Sequence, residues 1–336
     1  MPDRFWLSPY SFKEVTGGTE LIGNQYCSAL DLKYISARTV GATGQDYWNI
    51  AKSLDDWLRT RKSDLVIRNS VVGTTFDYNK PVIDKDIVLC CEHFETEGKC
   101  IDDENWRREK NRVFERQKVS VKSADKIAVL SEWERGLFEK SGFSNIKVME
   151  PYVSMQIPDP MFTKYTYRRE LGFPEDGTIA LFVGREHMRK GYDVLVNAAK
   201  SFPEIMFLSI VGHKPSEVEI ENLMNLGDIP NESMPSYYGA SDFLFMPTRY
   251  ESFGIMFAEA LLMGLPIVAN SVGLFGNKNE FRDDCYILDT KFSEDSMLDL
   301  LKTAMDNKFS KRPSRFSYRE RFSEKRFVSD CADLMK

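Results

Sequence analysis

A chain of 336 residues is long for one compact domain and comfortable for two of about 150 to 170 residues each. Hydrophobic residues make up 42% and aromatic residues 12%, enough for real cores, and a formal net charge of −6 speaks against bulk nucleic-acid binding. The polar start before Phe5-Trp6-Leu7 does not read as a secretory signal, no run approaches the ~18 apolar residues of a membrane span, and the six cysteines lack CxxC spacing. Reduced, mostly buried thiols in a cytoplasmic protein are expected, without zinc.

From the amino end, a strand is predicted over 5–8, a loop to Gly17-Gly18, a helix over 19–30, a strand over 32–36, a helix over 47–59 and a strand over 64–68. Residues 86–92 (DIVLCCE) are nearly all apolar, as a central strand covered on both faces should be. A long charged helix over 103–121, a strand over 126–130, a helix over 132–140 and a strand over 146–149 complete a first series. Pro151, Pro158 and Pro160, with no periodicity around them, mark 151–163 as a linker. A second series follows: strand 178–183, helix 192–201, strand 205–211, helix 234–240, strand 242–246, helix 255–263 and strand 266–269. A strand and a helix within 286–306 and a last helix over about 318–334 end the chain. The alternation predicts an α/β protein of two parallel-sheet domains, 1–152 and 153–316, with the segment of about 317–336 packing back on the first.

Ligands of open parallel sheets bind beyond the carboxyl ends of the strands. All three histidines fall there: His93 after DIVLCCE, His187 after IALFVGRE and His213 after FLSIVG. The strongest chemical signal is PTRYESFGIMFAEALLMGLPIVAN, residues 247–270. A strand ends at Met246 and a loop presents Glu251. A helix from near Gly254 carries Glu259 among apolar neighbours, where an unpartnered charge is costly. Eight residues apart, on the order of 10 Å, these acids suit one on a donor sugar and the other on the ribose of the same nucleotide sugar. The amides of Ser252, Phe253, Gly254 and Ile255 are helix-start donors that, with the dipole, make an anion site for a diphosphate. In ALFVGREHMRKGYDVLVNAAK, residues 180–200, Gly184-Arg185 ends a buried strand and Lys190-Gly191 opens a helix. Arg185 as a planar fork and Lys190 as a point charge can converge on one diphosphate and neutralise a leaving nucleotide without a metal.

Together these segments resemble the retaining glycosyltransferases of family 4, also called group 1. That resemblance implies the GT-B fold, two Rossmann-like α/β domains facing each other across a cleft. The family's donor domain carries a strand ending in GR, a Lys-Gly five or six residues later, and a Glu-x7-Glu pair in an E-x-F-G context. Here these are Gly184-Arg185, Lys190-Gly191, and Glu251 with Glu259. GLPIVAN (264–270) and YYGASDFLFMPT (237–248) look like further family runs. The amino-terminal half resembles the acceptor domain more loosely. Gly17-Gly18 is similar to the family's Gly-Gly loop near the diphosphate and sugar, His93 stands where the family has a histidine beside the donor sugar, and ADKIAVLSEWERGLFEKSGF (124–143) matches the stretch before the linker. Two segments depart from the family: the linker reads Pro151-Tyr152-Val153-Ser154, and the loop after GLPIVAN holds only Gly273 and Gly276.

The resemblance implies a retaining transfer of a hexose-type sugar from a UDP- or GDP-sugar to a glycan, lipid-linked or small-molecule acceptor, with no cofactor and no required metal. Arg185 and Lys190 would meet the leaving diphosphate, Glu251 and His93 the donor sugar, and Glu259 the ribose. Other readings are a catalytically silent nucleotide-sugar-binding subunit and a nucleotide-sugar epimerase; a glycan phosphorylase lacks a recognisable pyridoxal-lysine context. Asp84-Lys85-Asp86 has the DxD form of a metal motif but precedes a strand, so a solvated loop is expected. Seven basic residues against two acidic ones between Trp106 and Lys122, with Trp106, Val113, Phe114 and Val121 as anchors, make that helix a candidate for peripheral contact with an anionic inner membrane face. A solvated or core-packed helix is the preferred reading.

Overall fold

A computed structural model describes residues 3–9, 18–42, 47–158, 162–212, 215–217 and 219–336, leaving aside the side chains of Tyr47, Trp48 and Lys278. The chain divides into two compact units, 1–152 with 324–336, and 153–323.

The first unit is built on strands β1 (Arg4–Leu7), β2 (Lys33–Ile35), β3 (Leu65–Asn69), β4 (Asp86–Cys90), β5 (Lys126–Val129) and β6 (Ile146–Val148). They form one sheet in the order β2-β1-β3-β4-β5-β6, every neighbouring pair parallel. The connecting helices are α1 (Gly18–Leu30), α2 (Tyr47–Arg59), α3 (Phe94–Lys99), α4 (Glu104–Ser123) and α5 (Glu132–Lys140). β3 and β4 are buried along their whole length, as helices on both faces of a parallel sheet require. Asp103 caps α4 and Ser131 caps α5, each accepting from the amide three residues on.

In the second unit the strands are β7 (Thr178–Val183), β8 (Ile205–Ile210), β9 (Leu223–Leu226), β10 (Phe243–Met246), β11 (Ile267–Ala269) and β12 (Tyr286–Ile287). Helices α6 (Lys164–Leu171), α7 (Tyr192–Ser201), α8 (Met234–Ala240), α9 (Ile255–Met263) and α10 (Glu294–Asp306) accompany them. The sheet order is β12-β11-β10-β7-β8-β9, all parallel, so the winding direction reverses between β7 and β10. Crevices for ligands open at such a switch point. Both strongest sequence segments follow these two strands.

The last helix, α11, spans Glu324–Leu334 and belongs to the first unit. Phe327 packs its ring 5.2 Å from Tyr26 and 5.6 Å from Tyr152, and the Lys126 ammonium donates to the Leu334 carbonyl at 2.9 Å. The helix therefore starts at 324 rather than near 318. The chain returns to the first unit there, not at 317, because Tyr318 and Phe322 are buried in the second unit, Tyr318 stacked on Phe281 and Phe322 edge-on to Phe253.

Two other expectations need correcting. Asp86 of the DxD-like run is not solvated: it is fully buried and held by Arg68, Nε to Oδ1 at 2.8 Å and an Nη to Oδ2 at 3.0 Å. The Arg68 guanidinium also donates to Val72 and Ser120 carbonyls and to Ser120 and Ser123 hydroxyls, so the buried pair is fully hydrogen-bonded. On α4, Val113, Phe114 and Val121 lie in the core, and the half-buried Trp106 donates its indole N–H to the Glu97 carbonyl at 3.1 Å. The positions put forward as membrane anchors are occupied by protein, and α4 is a core-packed helix with a basic outer face. No helix among the described residues is long and apolar enough to cross a membrane. All six cysteines are free thiols, four of them buried.

Candidate functional site

Lys190 and Glu251 meet because two loops are stapled together. Arg249 donates its amide to the Arg189 carbonyl at 2.8 Å, and its guanidinium grips Asp193 of α7 at 2.6 and 2.7 Å. Between these contacts Gly191 adopts φ +77°, and a Cβ there would lie 2.0 Å from the Pro247 carbonyl oxygen. Only glycine permits that approach. Its neighbour Lys190 is thereby placed with Nζ 2.6 Å from Glu251 Oε1.

Glu251 is 6% exposed. Oε1 also accepts from the Thr248 hydroxyl at 3.1 Å, and Thr248 is held in turn by Asn270 of the β11 end, whose amide donates to its carbonyl at 2.9 Å. Oε2 has no protein partner among the described residues. Lys190 is itself only 17% exposed. Burial pushes its ammonium below the ordinary lysine range; Glu251 opposes this, and the charges of Arg189 and Arg185 add to it. Arg185, exposed after β7, is thus close enough to repel Lys190. Gly184 ends the same strand, with Lys190 Cβ 3.6 Å from where its own Cβ would stand.

Glu259 lies on the second turn of α9, 8% exposed. The Tyr238 hydroxyl donates to its Oε2 at 2.6 Å, while Oε1 has no protein partner among the described residues. Burial raises the Glu259 carboxyl above the usual carboxylate range, against the Tyr238 hydrogen bond, which lowers it. At the start of α9, Gly254 is left-handed and the amides of Gly254, Ile255 and Met256 donate to no protein acceptor among the described residues. Ser252 is half-buried; Phe253 is buried, and its carbonyl accepts from Leu274 at 2.8 Å. That bond needs Gly273, whose φ is +58° and whose Cβ would stand 2.6 Å from the Phe253 oxygen and 3.0 Å from Glu251 Cβ. One of the two glycines in the loop after β11 thus packs against Glu251.

The remaining predicted residues behave differently. Gly18 is the exposed first residue of α1, and Gly17 lies outside the described residues, as does His213. His187 is exposed and caps a single turn, Nδ1 accepting from the Arg189 amide at 3.0 Å. His93 follows β4 as expected, yet its ring is 2% exposed, 4.7 Å from Phe114 and 4.8 Å from Phe138. Nδ1 accepts from the Thr96 amide at 3.3 Å, capping α3, and Nε2 lies 2.9 Å from the Ser141 hydroxyl. Both nitrogens are engaged within the unit, so this geometry supports a neutral capping and packing residue and not a group that reaches a sugar. Burial pulls its pKa down to about 4. The His93 imidazole signals should therefore stay unprotonated, followed by NMR, until the pH nears that value. Because the unfolded chain protonates near 6.5, this residue's contribution to stability should be complete above 6.5 and decline as pH falls towards 4. Titration near 6.5 in the folded protein would contradict the buried cap.

Sequence reasoning passed over Thr248, Arg249, Tyr238 and Asn270. All four stand inside quoted motifs, but none has a pattern that names its partner. Among the described residues no group of three or more His, Cys, Asp or Glu side chains is placed to hold a metal ion.

Residues 163–324 match the family described as Glycosyl transferases group 1. These residues carry the sequence of that family. The chain is 30% identical over 183 residues to a D-inositol 3-phosphate glycosyltransferase from Xylanimonas cellulosilytica, covering 48% of this chain and 44% of that protein. The chain spans about half the length, or less, of the curated relatives it matches. Over the whole chain the fold is similar to sucrose-phosphate synthase from Thermosynechococcus elongatus, TM-score 0.80 at 16% identity, covering 100% of this chain and 98% of that one. It is also similar to Anabaena HepE in complex with UDP-glucose, TM-score 0.71 at 15% identity, covering 98% of each. The fold is GT-B, two six-stranded parallel α/β units, with the group 1 sequence in the second.

Proposed function

We propose that the protein is a retaining glycosyltransferase that moves a hexose-type sugar from a UDP- or GDP-sugar to a glycan, lipid-linked or small-molecule acceptor, in the cytoplasm and without a metal. The observation that carries this reading is the pair of buried acids, each with one oxygen committed to the protein and the other uncommitted, at the switch point of the group 1 unit. The uncommitted oxygen of Glu259 accepts from the ribose hydroxyls, and that of Glu251 from hydroxyls of the transferred sugar. Lys190, Arg185 and the unpaired amides at Gly254 and Ile255 hold the diphosphate. Charge developing on the departing phosphate oxygen meets these fixed cations and amides, which need no reorganisation as the bond breaks. With no protein nucleophile, retention means attack from the face the leaving group vacates, its phosphate taking the acceptor's proton. The HepE complex with UDP-glucose, on the same fold, supports the donor class.

A melting-temperature screen against UDP, GDP, ADP and their sugars tests the donor. A ligand at about 100 times its Kd should stabilise the protein by about 2.7 kcal/mol. No response to any nucleotide would sink the reading. With a donor in hand, transfer should persist in excess chelator, and the product should keep the donor's anomeric configuration by NMR. Binding without turnover on any acceptor would mark a silent subunit; free epimerised sugar would mark an epimerase.

A further inference from the structure

Two adjoining cavities of about 260 and 330 Å³ open at the amino ends of β7 and β10. Asp242 and Arg312 line both. Asp242, the only carboxylate lining either among the described residues, is already satisfied: Lys164 at 2.6 Å, Arg168 at 2.6 Å and the Ile179 amide at 2.7 Å all reach it. Three further cations line the cavities without any carboxylate partner among the described residues, namely Lys308, Arg312 and Arg315. The Arg315 guanidinium gives one hydrogen bond among the described residues, to the Pro158 carbonyl at 2.9 Å, while its Nε is buried with no partner among them. A buried donor left unsatisfied is uncommon and asks for an acceptor.

The chain goes to some trouble to bring these cations there. After α10 two consecutive non-glycine residues, Lys308 and Phe309, turn left-handed with φ of +51° and +48°, a conformation that is rare away from glycine, asparagine and aspartate. The Phe309 ring stacks on Phe243 of β10 at 4.3 Å and pins the turn to the strand's start. Tyr167 and Phe162, stacked 5.7 Å apart, supply an aromatic wall. Tyr238 lines the same cavity, and its hydroxyl is the one that holds Glu259.

We propose that these cavities form a second ligand site, distinct from the donor acids, for a small soluble molecule bearing a phosphate or diphosphate group. Arg312 and Arg315 offer planar forks suited to phosphate oxygens, Lys308 and Lys164 add point charges, and the aromatic wall faces the ligand's less polar part. The smaller cavity holds the volume of roughly eight waters at ~30 Å³ each. The proposal does not depend on the transferase reading.

Inorganic pyrophosphate titrated calorimetrically at fixed ionic strength tests it. In Lys190→Ala protein, where the donor site has lost one of its two cations, saturable binding should remain, and Arg312→Ala with Arg315→Ala should weaken it at least tenfold. Arg312→Glu alone, an exposed position, should do the same in the otherwise native chain while leaving the melting temperature unchanged. Binding indifferent to the arginines would overturn the site, as would the absence of saturable binding in Lys190→Ala. Co-sedimentation with phosphatidylglycerol vesicles that needs the same arginines, without any response to pyrophosphate, would overturn the soluble ligand.

Discussion

Replacing Lys190 with alanine should lower kcat/KM for sugar transfer about 100- to 1,000-fold, the loss that follows removal of one preorganised donor from a developing oxyanion. The structure adds a second consequence. Glu251 would keep only the Thr248 hydroxyl, leaving a carboxylate that is 6% exposed without its cation. An unsatisfied buried polar group costs about 1–3 kcal/mol, so urea unfolding should show a loss in that range, moderated because Lys190 keeps some solvent access. The two effects separate in Lys190→Ala with Glu251→Gln: neutralising the acid should restore much of the stability and none of the turnover. Native turnover in Lys190→Ala would remove the diphosphate role whatever the stability does.

Glu259→Ala should weaken nucleotide binding about 10- to 100-fold, as expected for hydrogen bonds to a charged acceptor worth ~1.5–3 kcal/mol. A 2′-deoxynucleotide should lose much less. The acid is raised above the usual range by burial and pulled back by Tyr238. Lowering the pH through that raised value protonates Glu259, so wild-type affinity should fall on the acid side. Tyr238→Phe removes the bond that favours the carboxylate, and the fall should then begin at higher pH. For folding the sign is opposite: the native state takes up this proton more readily than the unfolded chain, so the group's contribution is fully present below the unfolded pKa and is lost as pH rises through the native one. An acid limb that does not move in Tyr238→Phe would break the link between these two residues.

Much of the architecture was legible because the inner strands β3, β4, β8 and β10 are buried along nearly their whole length and read as short apolar runs. Helices α2, α5, α7, α8 and α9 run over the residues expected, each with a side that must be buried. Three elements were missed for identifiable reasons. β9 is a four-residue edge strand, half-exposed and without alternation. α6 is dominated by charge, and its buried side is Tyr167 with the paired Arg168, which no hydrophobic pattern records. α3 is short and is capped by a histidine that looked like chemistry. Glu251, Glu259, Arg185 and Lys190 were named from their motifs, but their partners were not. Lys190 and Glu251 lie 61 residues apart, and they were assigned to different parts of the ligand. Their contact follows from how closely the Gly191 backbone passes Pro247, a tertiary fact that residue spacing does not encode.

The unit that begins the chain also ends it, since α11 packs on α1 through Phe327 and Tyr26. During synthesis, therefore, the whole of residues 153–323 leaves the ribosome before the earlier-made unit can acquire its final helix. The later unit is one continuous stretch that can fold while translation proceeds. The earlier one must wait with the Tyr26 face of α1 uncovered, which makes a late truncation near Glu324 a defect of the amino-terminal half, read out far along the chain from its cause.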